Sequence, residues 1–175
     1  MSCQTNSCQL AAVNTLYEVV ILKDEIYHDI DSDTHALQRF RKAFDVPLAT
    51  DENGRYLIDR YIDRAVNQVA KRLTAYIATE HPHATVNNHT FPWEEHTFHL
   101  VMPSSWPPET LDGLKDSIHR YIVRSVEAEL LSVSLLPTDP IVQQYRVDAD
   151  DADAEIVKDI NRRTVALRVP FAPFG

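Results

Sequence analysis

The chain has 175 residues, of which 44% are hydrophobic and 25% are charged, and its formal net charge is −9. This length and composition are typical of one globular domain, and the negative charge disfavours tight binding to duplex DNA or to anionic membranes. The three glycines, Gly54, Gly113 and Gly175, are far apart. Because dinucleotide-binding loops and P-loops need closely spaced glycines, the sequence excludes both.

The N-terminal residues lack the basic start and apolar core of a signal peptide, and no apolar run reaches the ~18 residues of a membrane span. We therefore expect a soluble protein made inside the cell, with no membrane partner. Residues 1–14 are predicted to be a flexible leader that holds both cysteines, Cys3 and Cys8. One cysteine pair without a second pair is a weak metal motif, so we expect free thiols and no cofactor.

The first half of the chain predicts a strand and helices. Residues 16–22 are rich in β-branched and aromatic side chains and predict a strand. From residue 24 onward, apolar residues at near-helical spacings indicate either one broken helix or a short helix followed by a longer one that starts near Asp33. Residues 46–54 predict a loop. Residues 56–78 predict a long amphipathic helix with an apolar face of Ile58, Ile62, Ala65, Val66, Val69, Leu73, Tyr76 and Ile77.

The second half predicts a proline-rich loop over residues 80–108, which encloses a second strand candidate at residues 97–102. Two helices are predicted after it, at residues 109–136 and 140–164, with Asp139 as the cap of the second and Pro140 in its first turn. The predicted inward stripe of the first includes Leu111 and Val133; that of the second comprises Ile141, Tyr145, Ala149, Ala152, Ile156 and Ile160. The predicted fold is mainly α: one domain over residues 15–164, a bundle of three to four helices with a minor two-stranded β element.

Residues 165–175 predict an extended C-terminal arm, because Pro170 and Pro173 forbid a helix. The apolar side chains of the arm need a surface to cover, either on their own chain or on another subunit. The preceding helix is acidic over residues 148–159, so a basic arm would suit a neighbouring subunit. The predicted assembly interface comprises Arg162, Arg163, Arg168, Val169, Phe171 and Phe174.

A histidine cluster is the most suggestive chemical feature, with two glutamates among its members. Metal sites need three or four ligands that converge, and the helical spacings of zinc motifs are missing here. Two of the histidines, His96 and His99, would point to opposite faces of a strand. We therefore interpret them as solvated loop histidines that bind no metal, the members being His81, His83, His89, His96 and His99.

Three further patterns have structural interpretations. Ser104 and Ser105 lack the glycines of a nucleophile elbow, so we predict no catalytic residue. The acidic run at residues 148–155 lacks the glycine and the final glutamate of a calcium loop, which favours a solvated helix face. The basic stripe of the long helix alternates with Asp59 and Asp63, which is typical of salt bridges rather than of a phosphate track.

The order of elements resembles small virion proteins of tailed phages and prophages of gut bacteria, of the head-tail connector or neck adaptor type. The segments that carry the resemblance are residues 16–20 and 23–27, the helix at 56–77, residues 98–106, the helix at 118–131, and residues 153–170 with Asn161, Arg162 and Arg163. They span about 150 residues and contain no catalytic motif. The Cys-containing leader and the ending at residues 171–175 depart from the pattern.

The resemblance implies a structural protein that forms a twelvefold or sixfold ring between portal and tail. Its partners would be further copies of itself, the portal protein and tail or other neck proteins, with genomic DNA passing through the lumen without specific binding. The protein would be made in the bacterial cytoplasm and would function in the virion. Two other functions stay open: a metal-dependent hydrolase built on the histidine-rich loop, and a helical regulatory or interaction protein.

Overall fold

The computed structural model describes residues 13–40, 52–78 and 95–164. The described elements are, in chain order, β1 (Asn14–Leu22), α1 (Lys23–Phe40), α2 (Glu52–Leu73), β2 (Glu95–Pro103), a 3₁₀ turn (Pro108–Thr110), α3 (Leu111–Ser134) and α4 (Pro140–Ile160). The predicted fold class, mainly α with a minor two-stranded sheet, is confirmed. Cys3, Cys8 and the 165–175 arm lie outside the described residues.

The two predicted strands pair with each other in an antiparallel sheet, in a register that runs from Asn14 opposite Pro103 to Leu22 opposite Glu95. Side chains alternate between the faces of a strand, and one face of this sheet covers the core. Val19, Ile21, Phe98, Leu100 and Met102 are at most 1% exposed on that face. The sheet therefore covers one side of the helical bundle and shares its core.

Helix α3 is the centre of the bundle, because it contacts α1, α2, α4 and β1. Its residues Leu114, Ile118, Ile122 and Val126 are fully buried, as an inward stripe with helical spacing requires. The predicted face of α2 is also confirmed over its helical part, where the apolar side chains are at most 2% exposed: Ile58, Ile62, Ala65, Val66, Val69 and Leu73.

The predictions for α1 and for the start of α2 need correction. Helix α1 is continuous from Lys23 to Phe40 and has no break near Asp33. The Asp33 carboxylate accepts a hydrogen bond from Arg124 of α3 instead of capping a new helix. Helix α2 begins at Glu52, so Gly54 lies inside the helix and not in the predicted 46–54 loop; residues 41–51 lie outside the described part of the chain.

Helix α2 also ends earlier than the periodicity predicts, at Leu73 rather than at residue 78. The Thr74 hydroxyl donates to the carbonyls of Ala70 and Lys71 at the end of the helix. Ile77 then forms an isolated antiparallel bridge with Leu100 of β2. Pairing with the sheet thus replaces the last helical turn, and a helical periodicity cannot reveal a backbone partner elsewhere in the sequence.

The last two helices are shorter than predicted. A 3₁₀ turn precedes α3, which ends at Ser134, and Val133 is 58% exposed rather than inward. Helix α4 begins as predicted, with the Asp139 side chain accepting from the Ile141 backbone N–H and Pro140 in the first turn, but it ends at Ile160. Its predicted inward residues are buried or half-buried, and Val142 is also fully buried. Within the described segments, no helix is both long and apolar enough to cross a membrane.

Candidate functional site

The predicted assembly interface is only partly described. Arg162 and Arg163 follow the end of α4 and are exposed. Arg168, Val169, Phe171 and Phe174 lie outside the described residues. The site can therefore be built only from the segment that directly precedes the predicted arm, residues 161–164.

The root of the arm is held by contacts with two other parts of the chain. The Thr164 backbone N–H and side-chain hydroxyl both donate to the Ser105 carbonyl, at 2.7 and 3.0 Å. Arg163 donates to the carbonyls of Ile160 and Arg162, and its other nitrogen lies 3.4 Å from the Tyr76 hydroxyl. Because the contacts with Ser105 and Tyr76 join residues far apart in sequence, they set the position from which the arm starts. We call this group the arm root, and its members are Tyr76, Ser105, Arg163 and Thr164.

Trp106 connects the arm root to the core. Its indole N–H donates to the Asp159 carbonyl at 2.9 Å, and the residue is 1% exposed. The ring also stacks edge to face with Tyr17 of β1, with centroids 5.0 Å apart. Asp159 is itself buried and lies 3.5 Å from Arg162. The end of α4 is therefore fixed to the segment that follows β2.

A second polar group lies between α1, α3 and α4, and we call it the half-buried charge cluster: Asp33, Arg124, Glu127 and Tyr145. One nitrogen of Arg124 lies 2.7 Å from Asp33 and 2.9 Å from Glu127, so two carboxylates compete for one cation. The guanidinium also lies 5.1 Å from the centroid of the Tyr145 ring. These contacts tie α1 and α4 to the central helix.

Glu127 has the most perturbed acidity among the described carboxyl groups. Burial raises the pKa of Glu127 to about 9; Arg124 lowers it and Asp33 raises it further, but burial prevails. One carboxyl oxygen of Glu127 is buried without a hydrogen-bond partner. Burial is also the main reason why the pKa of Tyr145 is raised to about 12. Burial thus favours the protonated form of Glu127, even though Arg124 lies beside it.

Sequence reasoning missed this cluster, although one signal was present. Glu127 stands four residues after Val123 and three before Leu130, both buried, so it occupies a position on the apolar stripe of α3. A charged residue within such a stripe indicates a buried polar contact. Asp33, which shares Arg124 with Glu127, is 94 positions away in the numbering and could not be identified from spacing alone.

A third polar group joins α1 to α2. Lys23 is 4% exposed and lies 2.9 Å from Asp59. The Tyr27 hydroxyl donates to the same carboxylate, and burial, followed by this hydrogen bond, raises the pKa of Tyr27. Arg55 lies over the Tyr27 ring at 5.0 Å from its centroid. These contacts join α1 to α2 and have a structural role.

A cavity of about 290 Å³ lies between α1 and α3. A ring nitrogen of His119 in its wall is 2.8 Å from the Asp29 carboxylate. Ser32 lines the same cavity, but among the described contacts no hydrogen bond joins its hydroxyl to His119. The pair therefore connects two helices, as the neighbouring Asp33–Arg124 pair does.

The prediction that the clustered histidines are solvated loop residues is wrong for His96. His96 is 8% exposed on the core face of β2, where its ring stacks edge to face with Phe98. His99 points to the opposite face, 3.5 Å from Glu18. His81, His83 and His89 lie outside the described residues. Among the residues that the structure describes, no three His, Cys, Asp or Glu side chains are close enough to hold a metal ion.

The charged faces of α2 and α4 interact with each other more than the sequence pattern indicates. Arg72 makes a two-pronged ion pair with Asp153 of α4, at 3.0 and 2.7 Å. Arg64 lies 3.8 Å from Glu129 of α3. The basic stripe thus forms ion pairs between helices, while Asp150 and Asp151 remain exposed on α4.

No family model, curated protein or solved structure matches this chain.

Proposed function

We propose that this chain is a structural virion protein of a tailed phage: a head-tail connector, or neck adaptor, that forms a ring between portal and tail. The observation that carries the proposal is the arm root. Residues 162–164 are exposed, yet Thr164 is bonded to Ser105, so the last described residue before the apolar arm is held at a fixed point. A fixed exit suits a segment that reaches a defined site on another subunit.

The charge distribution supports contact between adjacent copies. Residues 160–175 contain Arg162, Arg163 and Arg168 and no acidic residue. Helix α4 exposes Asp150 and Asp151. Attraction between this basic segment and the acidic surface of the next copy favours a head-to-tail contact, and such a contact generates a ring when the rotation closes.

An acidic protein also suits a conduit for DNA. With a net charge of −9, the assembled ring repels phosphate groups, so the duplex passes without sticking to the wall. In this role the protein performs no catalysis and needs no cofactor. Its partners are further copies of itself, the portal protein and the adjoining tail or neck proteins of the virion.

Native mass spectrometry and negative-stain electron microscopy of the full chain test the proposal. We expect closed rings of twelve or six copies, formed alone or after addition of a portal protein from the same phage. A chain that stays monomeric under both conditions would contradict the proposal. Stoichiometric zinc in protein purified without a tag would favour the hydrolase alternative, and a salt-sensitive shift of DNA would favour a regulatory role.

A further inference from the structure

Strand β1 is a free edge of the sheet. The opposite side of β2 is occupied by residues 76–78, because the Val101 N–H donates to the Tyr76 carbonyl at 2.7 Å and the Ala78 N–H donates to the His99 carbonyl at 2.9 Å. The sheet order is therefore β1, β2 and then this short segment. Within the described residues, no strand lies beside the other side of β1.

The antiparallel register shows which backbone groups face this edge. His99 and Val101 direct their backbone groups away from β1, so their neighbours on β2 bond to β1. Phe98 and Leu100 are paired with Val19 and Tyr17. The alternate residues Leu16, Glu18 and Val20 consequently present their N–H and C=O groups at the free edge. A partner strand can bond to all three.

The edge also lacks the features that usually prevent strand addition. Edge strands are commonly protected by proline, by lysine or by a bulge. Strand β1 has nine residues without proline or lysine, and its single charge, Glu18, lies beside His99 of β2. Apolar side chains are accessible along it: Val13 is 72% exposed, Leu16 49% and Leu22 36%.

The arm has the sequence of a strand that matches this edge. Val165, Leu167 and Val169 alternate with Ala166 and Arg168, which is the period of a strand with one apolar face. Pro170 then ends the run, since proline cannot donate to a ladder. Five residues are enough to bond to Leu16, Glu18 and Val20, and the apolar face would cover Leu16 and Val20.

The position of the arm root indicates that the edge belongs to another copy. The Arg163 guanidinium lies 3.4 Å from the Tyr76 hydroxyl, and the backbone of Tyr76 pairs with β2 on the side opposite to β1. The free edge of β1 is at least two strand spacings away, or roughly 10 Å, which is about three extended residues. Because the strand-like run begins directly after Thr164, reaching its own edge would consume most of that run.

We propose that residues 165–169 of one copy add as a strand to the free edge of β1 in a second copy. This inference rests on the proposed ring and names its interface. The main-chain hydrogen bonds provide affinity, and the Val165, Leu167 and Val169 side chains provide register. The first 12 residues of the chain or residues 79–94 are the competing occupants of the same edge.

Cysteine cross-linking in trans tests the proposal. In a chain with Cys3→Ser and Cys8→Ser, one variant carries Leu16→Cys, Glu18→Cys or Val20→Cys, and a second variant carries Leu167→Cys. The two are mixed and oxidised, and the products are separated without reductant. We expect at least one edge position to give a mixed disulfide of two chains in high yield. Val157→Cys, at an exposed position of α4, is the matched control and should give little.

A backbone variant tests the hydrogen bonds directly. Glu18→Pro removes an N–H that faces the free edge and none that bonds to β2, whereas Glu18→Ala removes only the carboxylate. We expect Glu18→Pro to keep the circular dichroism spectrum of the full chain and to lower its self-association at least tenfold in analytical ultracentrifugation. Glu18→Ala should associate within about twofold of the starting protein. If Glu18→Pro unfolds, the cross-linking experiment alone decides.

The outcomes separate this inference from the proposed function. Rings without any mixed disulfide would overturn the strand addition and leave the ring intact. A mixed disulfide without closed rings would support the strand addition and contradict the connector. A disulfide formed within one chain, in a variant with both cysteines at high dilution, would show that the arm covers its own edge and would overturn the exchange between copies.

Discussion

Glu127 shows how one buried residue couples the stability of the bundle to pH. Its pKa is raised from the ordinary range of a glutamate to about 9, mainly by burial. Because the folded state holds this proton more tightly than the unfolded state, the contribution of Glu127 to stability is fully present below about pH 4.3. That contribution is lost progressively as the pH rises towards 9.

We therefore predict that Glu127→Gln stabilises the protein, and more so at high pH. Glutamine has the shape of the protonated acid. Folding of the variant therefore does not require the uptake of a proton, which costs more free energy as the pH rises. The free energy of unfolding should rise by at least about 1 kcal/mol at pH 8, with a smaller gain at pH 5. Urea denaturation at both pH values measures this change in the free energy of unfolding.

Glu129→Gln, two positions along the same helix and 45% exposed, is the control and should change stability by less than ~0.5 kcal/mol. A loss of stability in Glu127→Gln at pH 8 would show that the ionised pair with Arg124 dominates.

At the scale of one element, α2 shows that a periodic apolar face predicts burial well. Leu73 is the last residue of the helix and is fully buried. It is also the point at which the chain leaves the helix for the sheet. We predict that Leu73→Ala lowers the free energy of unfolding by about 2 to 5 kcal/mol, because the lost contacts leave a cavity. Leu136→Ala, at a site that is 74% exposed, is the matched control. A change at Leu73 below ~0.5 kcal/mol in thermal or urea denaturation would mean that the site collapses without loss.

Helix α3 contains a glycine in its first turn that packing does not require. A Cβ atom at Gly113 would meet only the Asp159 carboxylate, at 3.6 Å, which is an ordinary contact. Alanine loses less conformational freedom than glycine on entering a helix. We predict that Gly113→Ala raises the free energy of unfolding by about 0.5 to 1 kcal/mol in urea denaturation. A destabilised variant would indicate that the Asp159 carboxylate cannot shift, since Trp106 and Arg162 hold that residue.

At the scale of the whole molecule, the arm distinguishes folding from assembly. We predict that deletion of residues 165–175 leaves a folded, soluble monomer, because the buried apolar cluster extends over the four helices and both strands. Circular dichroism reports folding, while light scattering and electron microscopy report assembly. Rings formed by the truncated chain would reduce the arm to a strap on its own subunit. Unfolding would instead place the arm in the core of its own chain.

The net charge of the molecule has its own consequence. We predict that the assembled protein does not retard duplex DNA in a gel at 50 mM salt, because an acidic surface cannot release counterions from phosphate. The same assay at 200 mM salt is the comparison. Retardation at 50 mM salt that weakens steeply at 200 mM salt would indicate a basic surface that binds phosphate. It would contradict the proposal that DNA passes through the ring without binding.

The sequence by itself determined the class of fold and most of the buried faces. Apolar periodicity located the core face of α2, the main stripe of α3 and both strands, because these signals are local and repeat within one element. The cap at Asp139 and Pro140 was equally local, and the structure confirms it. The opposite orientation of His96 and His99 followed from the two-residue period of a strand.

Only the tertiary structure decided where elements end and which polar groups meet. Helix α2 stops at Leu73 because Ile77 pairs with Leu100, a residue 23 positions later in the numbering. Glu127 shares Arg124 with Asp33 of α1, and Thr164 bonds to Ser105, each through the packing of separate elements. Pairings between distant residues depend on the whole arrangement of the chain, so no window of sequence contains them.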